Sequence, residues 1–265
     1  MNRPGTMRMS SSTTSAAVIG LAALALGALA VAAPAAGEIL VRQPDISGVW
    51  GHAFPRPGQP IDPRLDTGPL PVPPLKPDYL ARWNAMREQQ KLADERGEPA
   101  AGLEARCLPD GMPSVMFAIY PLEILQTPGR VTIIEEAFSQ TRRIYLDEPQ
   151  GKVGEVEPGY YGHSVGRWDG DTLVVDTLGL KESVPGYRDI PHSDEEHIVE
   201  RIRLIDPDIL EDRMTVEDPK VLERPWTFRF VYRRMKGYHM LEYVCENNRE
   251  YTDENGGTHL QLGPH

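Results

Sequence analysis

Several motifs that mark common cofactors and nucleophiles are missing from this sequence. It contains no P-loop and no G-x-G-x-x-G fingerprint, and it has neither H-E-x-x-H nor D-x-D-x-D-G. GHSVG at 162–166 fits G-x-S-x-G by letter, but it lacks the strand–turn–helix context that a nucleophile elbow requires. We therefore expect no nucleotide cofactor and no catalytic serine.

The chain is also short of basic residues and of cysteine. Lys and Arg number 28 against 39 Asp and Glu, giving a formal net charge of −11. Because an acidic chain repels phosphate backbones, we expect no nucleic-acid partner. Two cysteines cannot form a Cys₄ zinc site. With 40% hydrophobic residues, the 265-residue chain is neither disordered nor a multi-span membrane protein.

The first 35 residues have the pattern of a secretory signal peptide. Arg3 and Arg8 precede an apolar run over 16–33, and Ala33-Pro34-Ala35 supplies small residues for cleavage. A retained membrane anchor is the alternative, since the run just reaches a spanning length. We expect cleavage after residue 35 or 36, no stable membrane insertion afterwards, and a periplasmic or secreted protein.

Export affects how the two cysteines are interpreted. Cys107 and Cys245 both follow the predicted cleavage point. In an oxidising compartment, an even pair is more often a disulfide than a reactive thiol. The sequence therefore predicts a Cys107–Cys245 disulfide.

Proline is concentrated near the start of the predicted mature chain. Residues 44–77 hold ten prolines, which exclude a helix or a central strand there, so 36–106 is predicted to wrap the domain as extended chain. Within it, 78–96 is free of proline and rich in helix formers, and Asp78 and Gly97 suit its two ends. We predict one helix at 78–96.

Residues 107–250 have the pattern of a β domain, followed by a tail at 251–265. Turn signals at Thr127-Pro128-Gly129-Arg130 and Asp169-Gly170-Asp171 separate short β-rich runs, which predicts antiparallel neighbours. This many short strands indicates a closed barrel, with a β-sandwich as the alternative. The candidate strands are 114–119, 121–126, 130–137, 141–147, 163–168, 172–179, 198–205, 212–217, 226–234 and 240–246, and 48–50 could begin another.

One segment fits two structures. Ser193-Asp194-Glu195-Glu196 resembles a capping box and is followed by apolar residues at helical spacing. A strand would instead place Ile198, Glu200 and Ile202 on one face, and the turn at 206–208 suits a hairpin. We predict a strand, and the helix remains the alternative.

Four blocks of the sequence together resemble a large family of exported bacterial proteins. They are GHSVGRWDGDTLVVDTLGL, PHSDEEHIVERIRLID, VEDPKVLERPW and EYVCENNRE, and GRVTIIEEAFSQTRRIYLD also fits. The resemblance implies export and β architecture, but no mechanism. Gly48-Val49-Trp50 is similar to the G-x-W start of lipocalins, which favours a lipocalin-like barrel holding one small ligand.

Strand alternation identifies charged residues on otherwise apolar faces. Glu200 aligns with Ile198 and Ile202, and Arg142 and Glu135 occupy similar positions in their own strands. A buried charge must be paired, so these residues could form either an interior ion pair or a polar group inside a binding site. We predict that Glu200 complements a catalytic base and that Arg142 and Glu135 contact the substrate.

Two histidines lie in settings that suit proton transfer. His163 stands among glycines in GYYGHSVGRWDGDT, with Tyr161 and Trp168 as predicted aromatic walls for a substrate. His192 lies in an irregular segment before the strand that carries Glu200. We predict His163, His192 and Glu200 as catalytic residues. His192, His197 and Glu200 lack a clear further donor, so we expect no metal.

The sequence therefore favours an exported β-barrel that acts on a small, largely apolar molecule by cofactor-free acid–base chemistry. A lyase, isomerase or hydratase fits the missing nucleophile and cofactor motifs. A periplasmic binding protein with the same pocket and no turnover is the main alternative, and a structural envelope protein is a third.

Overall fold

The computed structural model describes residues 43–53, 62–98, 107–117, 119–184, 186–243, 250–252 and 258–260. The predicted signal peptide and Cys245 lie outside these ranges, so the signal peptide and the disulfide stay predictions. Cys107 is described and has a left-handed backbone, with φ of 54°.

Nine strands close into a barrel, in which β1 pairs with β9 to complete the wall. The closing register joins Trp50 to Arg234 and His52 to Tyr232. The prediction of a mainly β, lipocalin-like barrel with one N-terminal helix is confirmed. The strands are β1 (Gly48–His52), β2 (Leu122–Thr127), β3 (Arg130–Glu135), β4 (Thr141–Leu146), β5 (His163–Asp169), β6 (Thr172–Leu178), β7 (His197–Asp206), β8 (Ile209–Glu217) and β9 (Trp226–Arg234).

One pair of neighbours departs from the antiparallel pattern. Strands β4 and β5 run parallel, with Ile144 opposite Ser164, while every other pair of neighbours in the barrel is antiparallel. Parallel neighbours cannot be joined by a tight turn and need a long crossover connection. Residues 147–162 supply that connection, and they carry no strand.

Alternation along the strands gives the barrel an apolar interior. The inward side chains of neighbouring strands are opposite one another in register, so their buried surfaces form a single core. The strand predicted at 198–205 is confirmed as part of β7, which begins at His197 after a turn at 194–195 and has a bulge between Leu204 and Asp206. The inward core residues include Trp50, Leu122, Ile124, Ile133, Ile144, Leu173, Val175, Ile198, Ile202 and Met214.

The described part of the chain contains one α-helix, α1 (Pro77–Glu95), which lies close to its predicted position. Its N-cap is Lys76 rather than Asp78, because Pro77 takes the first helical position, where its missing N–H costs nothing. Only Trp83 is buried along its length, and its indole N–H donates to the Arg188 carbonyl at 3.3 Å. Within the described residues, no helix combines the length and apolarity needed to span a membrane.

The described part of the proline-rich segment contacts the barrel at several points. The Trp226 indole donates to the Pro71 carbonyl at 3.0 Å, and the Lys76 amide donates to the Val221 carbonyl at 2.9 Å. Leu75 forms an isolated bridge with Leu222.

Two predicted strands were wrong in their described parts. Ser114–Phe117 is a 3₁₀ helix that buries the consecutive residues Val115 and Met116, which a strand would send to opposite faces. Residues 240–243 form no strand, and the barrel wall closes without them through the β1–β9 pairing; 244–246 lie outside the described residues. The predicted tail holds a separate two-stranded sheet, β10 (Glu250–Thr252) and β11 (Thr258–Leu260).

Candidate functional site

A cluster of polar side chains occupies the interior of the barrel. Six strands contribute one residue each, from inward positions that otherwise carry apolar side chains. All six are fully buried or nearly so. The members of this inner polar cluster are Arg142 (β4), Ser164 (β5), Thr177 (β6), Glu200 (β7), Asp212 (β8) and Tyr232 (β9).

Arg142 and Glu200 are at the centre of the inner polar cluster. The Arg142 Nη1 donates to Glu200 Oε1 at 2.8 Å and Nη2 donates to Oε2, forming a two-point ion pair. Arg142 also donates to the hydroxyls of Ser164 and Thr177, each at 3.1 Å. Burial lowers the pKa of Arg142, but the Glu200 carboxylate outweighs this effect and raises it. The predicted inward positions of Arg142 and Glu200 are confirmed.

Asp212 is the exception in the inner polar cluster. Its side chain is completely buried, and neither carboxyl oxygen has a hydrogen-bond partner among the described residues. Burial, followed by the charge of Glu200, raises the pKa of Asp212 well above its ordinary value. Folding therefore favours the protonated form of Asp212, in which the carboxyl group can act as a hydrogen-bond donor.

The sequence analysis missed Asp212 although a signal was present. Asp212 is two residues from both Leu210 and Met214 on β8, so the three side chains lie on the same face of the strand. This spacing predicts an inward position for Asp212, just as it did for Glu200 on β7. Ser164 was also set aside, because only its place in GHSVG was considered. The structure makes it a hydrogen-bond acceptor for Arg142 rather than a nucleophile beside a base.

Glu135 and Tyr161 belong to a second polar group, centred on Gln140. The Gln140 side chain donates to Glu135 at 2.5 Å and to Asp110 at 2.8 Å, and it accepts from the Tyr161 hydroxyl at 3.0 Å. Burial raises the pKa of Asp110 and that of Tyr161. The structure thus brings these two predicted substrate contacts together through a residue that the sequence analysis did not select.

His163 does not meet Glu200 in this structure. Ser164 faces the barrel interior, so its neighbour His163 faces outward, where it stacks on Tyr145 with ring centroids 5.5 Å apart. Trp168 is partly buried against the core, and its indole nitrogen has no hydrogen-bond partner within the described ranges. The predicted roles of His163 and Trp168 therefore stay predictions.

His192 is buried outside the inner polar cluster. Its Nε2–H donates to the Val184 carbonyl at 2.5 Å, and Nδ1 lies 3.3 Å from Glu196 Oε2. Burial raises the pKa of Glu196 to about 7, with the charge of Asp218 adding to the rise and His192 opposing it. His192 is thus paired with Glu196, whereas Glu200 is paired with Arg142.

A groove of about 440 Å³ is lined in part by residues of β9. Strand β1 ends at His52, so the part of β9 before Val231 has no β1 residue opposite it. We call this cavity the aromatic groove. It is lined by His52, Phe117, Phe228 and Phe230 on its apolar side, by residues 65–71 of the proline-rich segment, and by Arg188, Arg213, Thr227 and Arg229 at its polar side.

The aromatic side of the groove is uncharged. His52 packs against Phe117 and Phe230 with ring centroids 5.2 and 5.7 Å away. Burial lowers the pKa of His52 to about 4, so the imidazole is neutral at neutral pH. Phe230 lies directly opposite Asp212 in the β8–β9 register, so it stands next to the inner polar cluster as well as in the groove wall.

No metal-binding arrangement is present in the described part of the chain, where no three or more His, Cys, Asp or Glu side chains are grouped suitably. His197 and Glu200 occupy opposite faces of β7, and His197 bonds Asp176 at 2.9 Å. No protein-family model and no curated protein matches this chain.

Proposed function

We propose that this protein binds a small, largely apolar molecule in the aromatic groove. The observation that carries the proposal is a volume of about 440 Å³ whose lining combines three phenylalanines with polar and charged residues. Small-molecule sites are typically concave, mostly apolar and about 300–1,000 Å³ in size, with a few polar groups that fix orientation. The lipocalin-like barrel also supports binding, because small barrels of this kind commonly hold one ligand.

Binding can be tested with a neutral aromatic probe, naphthalene-2-carboxamide, titrated calorimetrically into the protein. Thr227 lines the groove, and its cross-strand partner Thr215 does not. T227W should fill the groove and weaken binding about tenfold or more, while T215W should change affinity by less than about twofold. Equal effects of the two variants, or no saturable binding, would rule out the groove as the site.

A second candidate function is acid–base turnover, which is favoured by the buried Asp212 carboxyl beside Glu200, with no hydrogen-bond partner recorded for its oxygens in the described part of the chain. In this function Asp212 protonates a carbonyl oxygen of the substrate while the Glu200 carboxylate takes a proton from the adjacent carbon, giving the enol. Reversal restores the ketone. Phe230, which neighbours Asp212 and lines the groove, would be the side chain that has to move to admit a substrate.

Turnover can be measured as deuterium entering the methyl group of 2-acetonaphthone in D₂O, followed by NMR. D212N should abolish protein-catalysed exchange, and H163A and H192A should each slow it only if these histidines carry the proton as the sequence predicts. Exchange that is unchanged by D212N would remove Asp212 from the chemistry. Binding of the probe without any exchange would leave a binding protein.

We also propose that the protein acts after export, in the periplasm or outside the cell. The basic start, apolar run and small-residue exit of residues 1–35 support this proposal, as does the even number of cysteines. A denaturing mass spectrum of protein recovered from the periplasm should give a chain beginning at residue 36 or 37. Alkylation before and after reduction should show that Cys107 and Cys245 react only once reduced.

A further inference from the structure

Three arginines lie side by side on the outer wall of the barrel. Arg201 on β7 is directly opposite Arg213 on β8, and Arg213 is directly opposite Arg229 on β9. Like charges at opposed positions of neighbouring strands repel each other. Such a row is unexpected in a chain with a net charge of −11, which has more acidic than basic residues available to place there.

The two outer arginines of the row are neutralised by nearby acids. Arg201 Nη2 donates to Asp169 at 3.1 Å, and Arg229 Nη1 donates to Glu211 at 2.8 Å. Glu211 also accepts from Arg203, so its charge is already shared between two guanidiniums. The middle residue, Arg213, is exposed and forms no hydrogen bond or ion pair within the described residues. Among the described residues, therefore, no acidic side chain compensates the positive charge of Arg213.

Arg213 is also placed to contact a molecule in the aromatic groove. It lines the groove together with Arg229, and Phe228 and Phe230 contribute apolar surface to the same lining. It lines a second recess of about 230 Å³ together with Arg201 and Arg203. A guanidinium with no internal partner can offer two parallel N–H donors to a carboxylate, which is the geometry that arginine recognises best.

We propose that the ligand of the aromatic groove is an anion, with a flat apolar body against the phenylalanines and a carboxylate held by Arg213. This inference rests on the proposed binding function and specifies its ligand class. The carboxylate would pair with Arg213, so that each of the three arginines in the row has an acidic partner. The anion also compensates a charge that no described side chain neutralises.

The test compares two probes that share one ring system, naphthalene-2-carboxylate and naphthalene-2-carboxamide. Each is titrated calorimetrically into the wild type, R213Q and the control R143Q. Arg143 is a suitable control because it is also exposed on a strand, and it lines neither cavity. The wild type should bind the carboxylate about tenfold more tightly than the carboxamide.

R213Q should abolish this preference by weakening carboxylate binding about tenfold while leaving the carboxamide unchanged, and R143Q should change neither. The carboxylate preference should also shrink in high salt, because Arg213 is exposed. Equal affinities of the wild type for the two probes, or equal loss of both in R213Q, would overturn the anion assignment and leave the binding proposal intact. Failure of both probes to bind would overturn both.

Discussion

Arg142 and Glu200 form a two-point ion pair inside the barrel, with both side chains withdrawn completely from solvent. Such a pair compensates the loss of hydration of two charges only while both partners are present. The hydroxyls of Ser164 and Thr177 extend the compensation by accepting further hydrogen bonds from the guanidinium group. The pair therefore governs the stability of the barrel interior.

Removing one member of this pair should be more harmful than removing both. R142M or E200Q should lower the free energy of unfolding by about 3–5 kcal/mol, because each leaves a buried group without its partner. The double variant R142M/E200M should show a smaller decrease in the free energy of unfolding than either single variant. Urea unfolding followed by tryptophan fluorescence measures all three. R143M, on the exposed side of β4, should stay within about 0.5 kcal/mol of the wild type. A double variant that loses the sum of the single losses would contradict this prediction.

The buried Asp212 should make stability depend on pH. Its pKa in the folded protein is raised above the unfolded value, so folding favours the protonated form. Below the unfolded pKa, Asp212 makes its full contribution to the free energy of unfolding. This contribution is lost as the pH rises from the unfolded pKa through the folded pKa. D212N carries no titrating group, so its stability relative to the wild type should increase steadily above about pH 4.

Thermal unfolding of the wild type and D212N between pH 4 and 8 measures this difference. D171N, in the exposed turn between β5 and β6, is the matched control and should follow the wild type at each pH. A constant offset between D212N and the wild type over the whole range would show that Asp212 does not change its proton occupancy on folding.

Glu196 should add a second pH dependence at higher pH. Its folded pKa of about 7 exceeds the unfolded value, so the stability contributed by the neutral acid is lost as the pH rises through about 7. E196Q keeps the shape of the neutral acid and should remove this loss. The free energy of unfolding of E196Q should therefore rise relative to that of the wild type, mainly between about pH 5 and 8. Chemical denaturation at pH 5, 6, 7 and 8 follows the difference, and parallel profiles would contradict the raised pKa.

Two glycines with the same backbone conformation should respond differently to alanine. Gly162 and Gly170 have φ of +61° and +62°. A Cβ at Gly162 would lie 2.5 Å from the Leu178 carbonyl oxygen, whereas one at Gly170 would meet nothing within 4 Å. G170A should cost about 1 kcal/mol for the left-handed backbone alone. G162A should cost about 1–3 kcal/mol more, because backbone must shift to relieve the clash. Urea denaturation measures the loss of unfolding free energy in both variants. Similar losses would show that the backbone next to Gly162 shifts at little energetic cost.

Much of the fold could be predicted because alternation and turn residues are local properties. The turns at Gly129 and Gly170 both adopt positive φ, which glycine tolerates, and they fixed the neighbouring hairpins. The parallel β4–β5 pair could not be predicted in this way. Its register depends on how residues 147–162 cross the end of the barrel, and no local pattern encodes that path.

The candidate site was predictable only in part, for a similar reason. The alternation of side chains along β4 and β7 identified Arg142 and Glu200 as inward residues. The same reasoning applied to β8 would have added Asp212. The aromatic groove could not be anticipated, because it brings His52, Phe117 and Phe230 together from distant parts of the sequence. Contacts between residues so far apart in the chain depend on the complete fold and are not encoded in a local sequence pattern.

The pairing of β1 with β9 also constrains how the protein is made. Trp50 and Arg234 must meet before the wall is complete, so a growing chain cannot close its barrel until almost the whole domain has emerged. Until then the edges of β1 and β8 can pair with other chains, and contacts of such long range form slowly. A chain that stops before Trp226 keeps these edges permanently. Nonsense mutations late in the coding sequence should therefore produce aggregating polypeptides rather than shortened soluble ones.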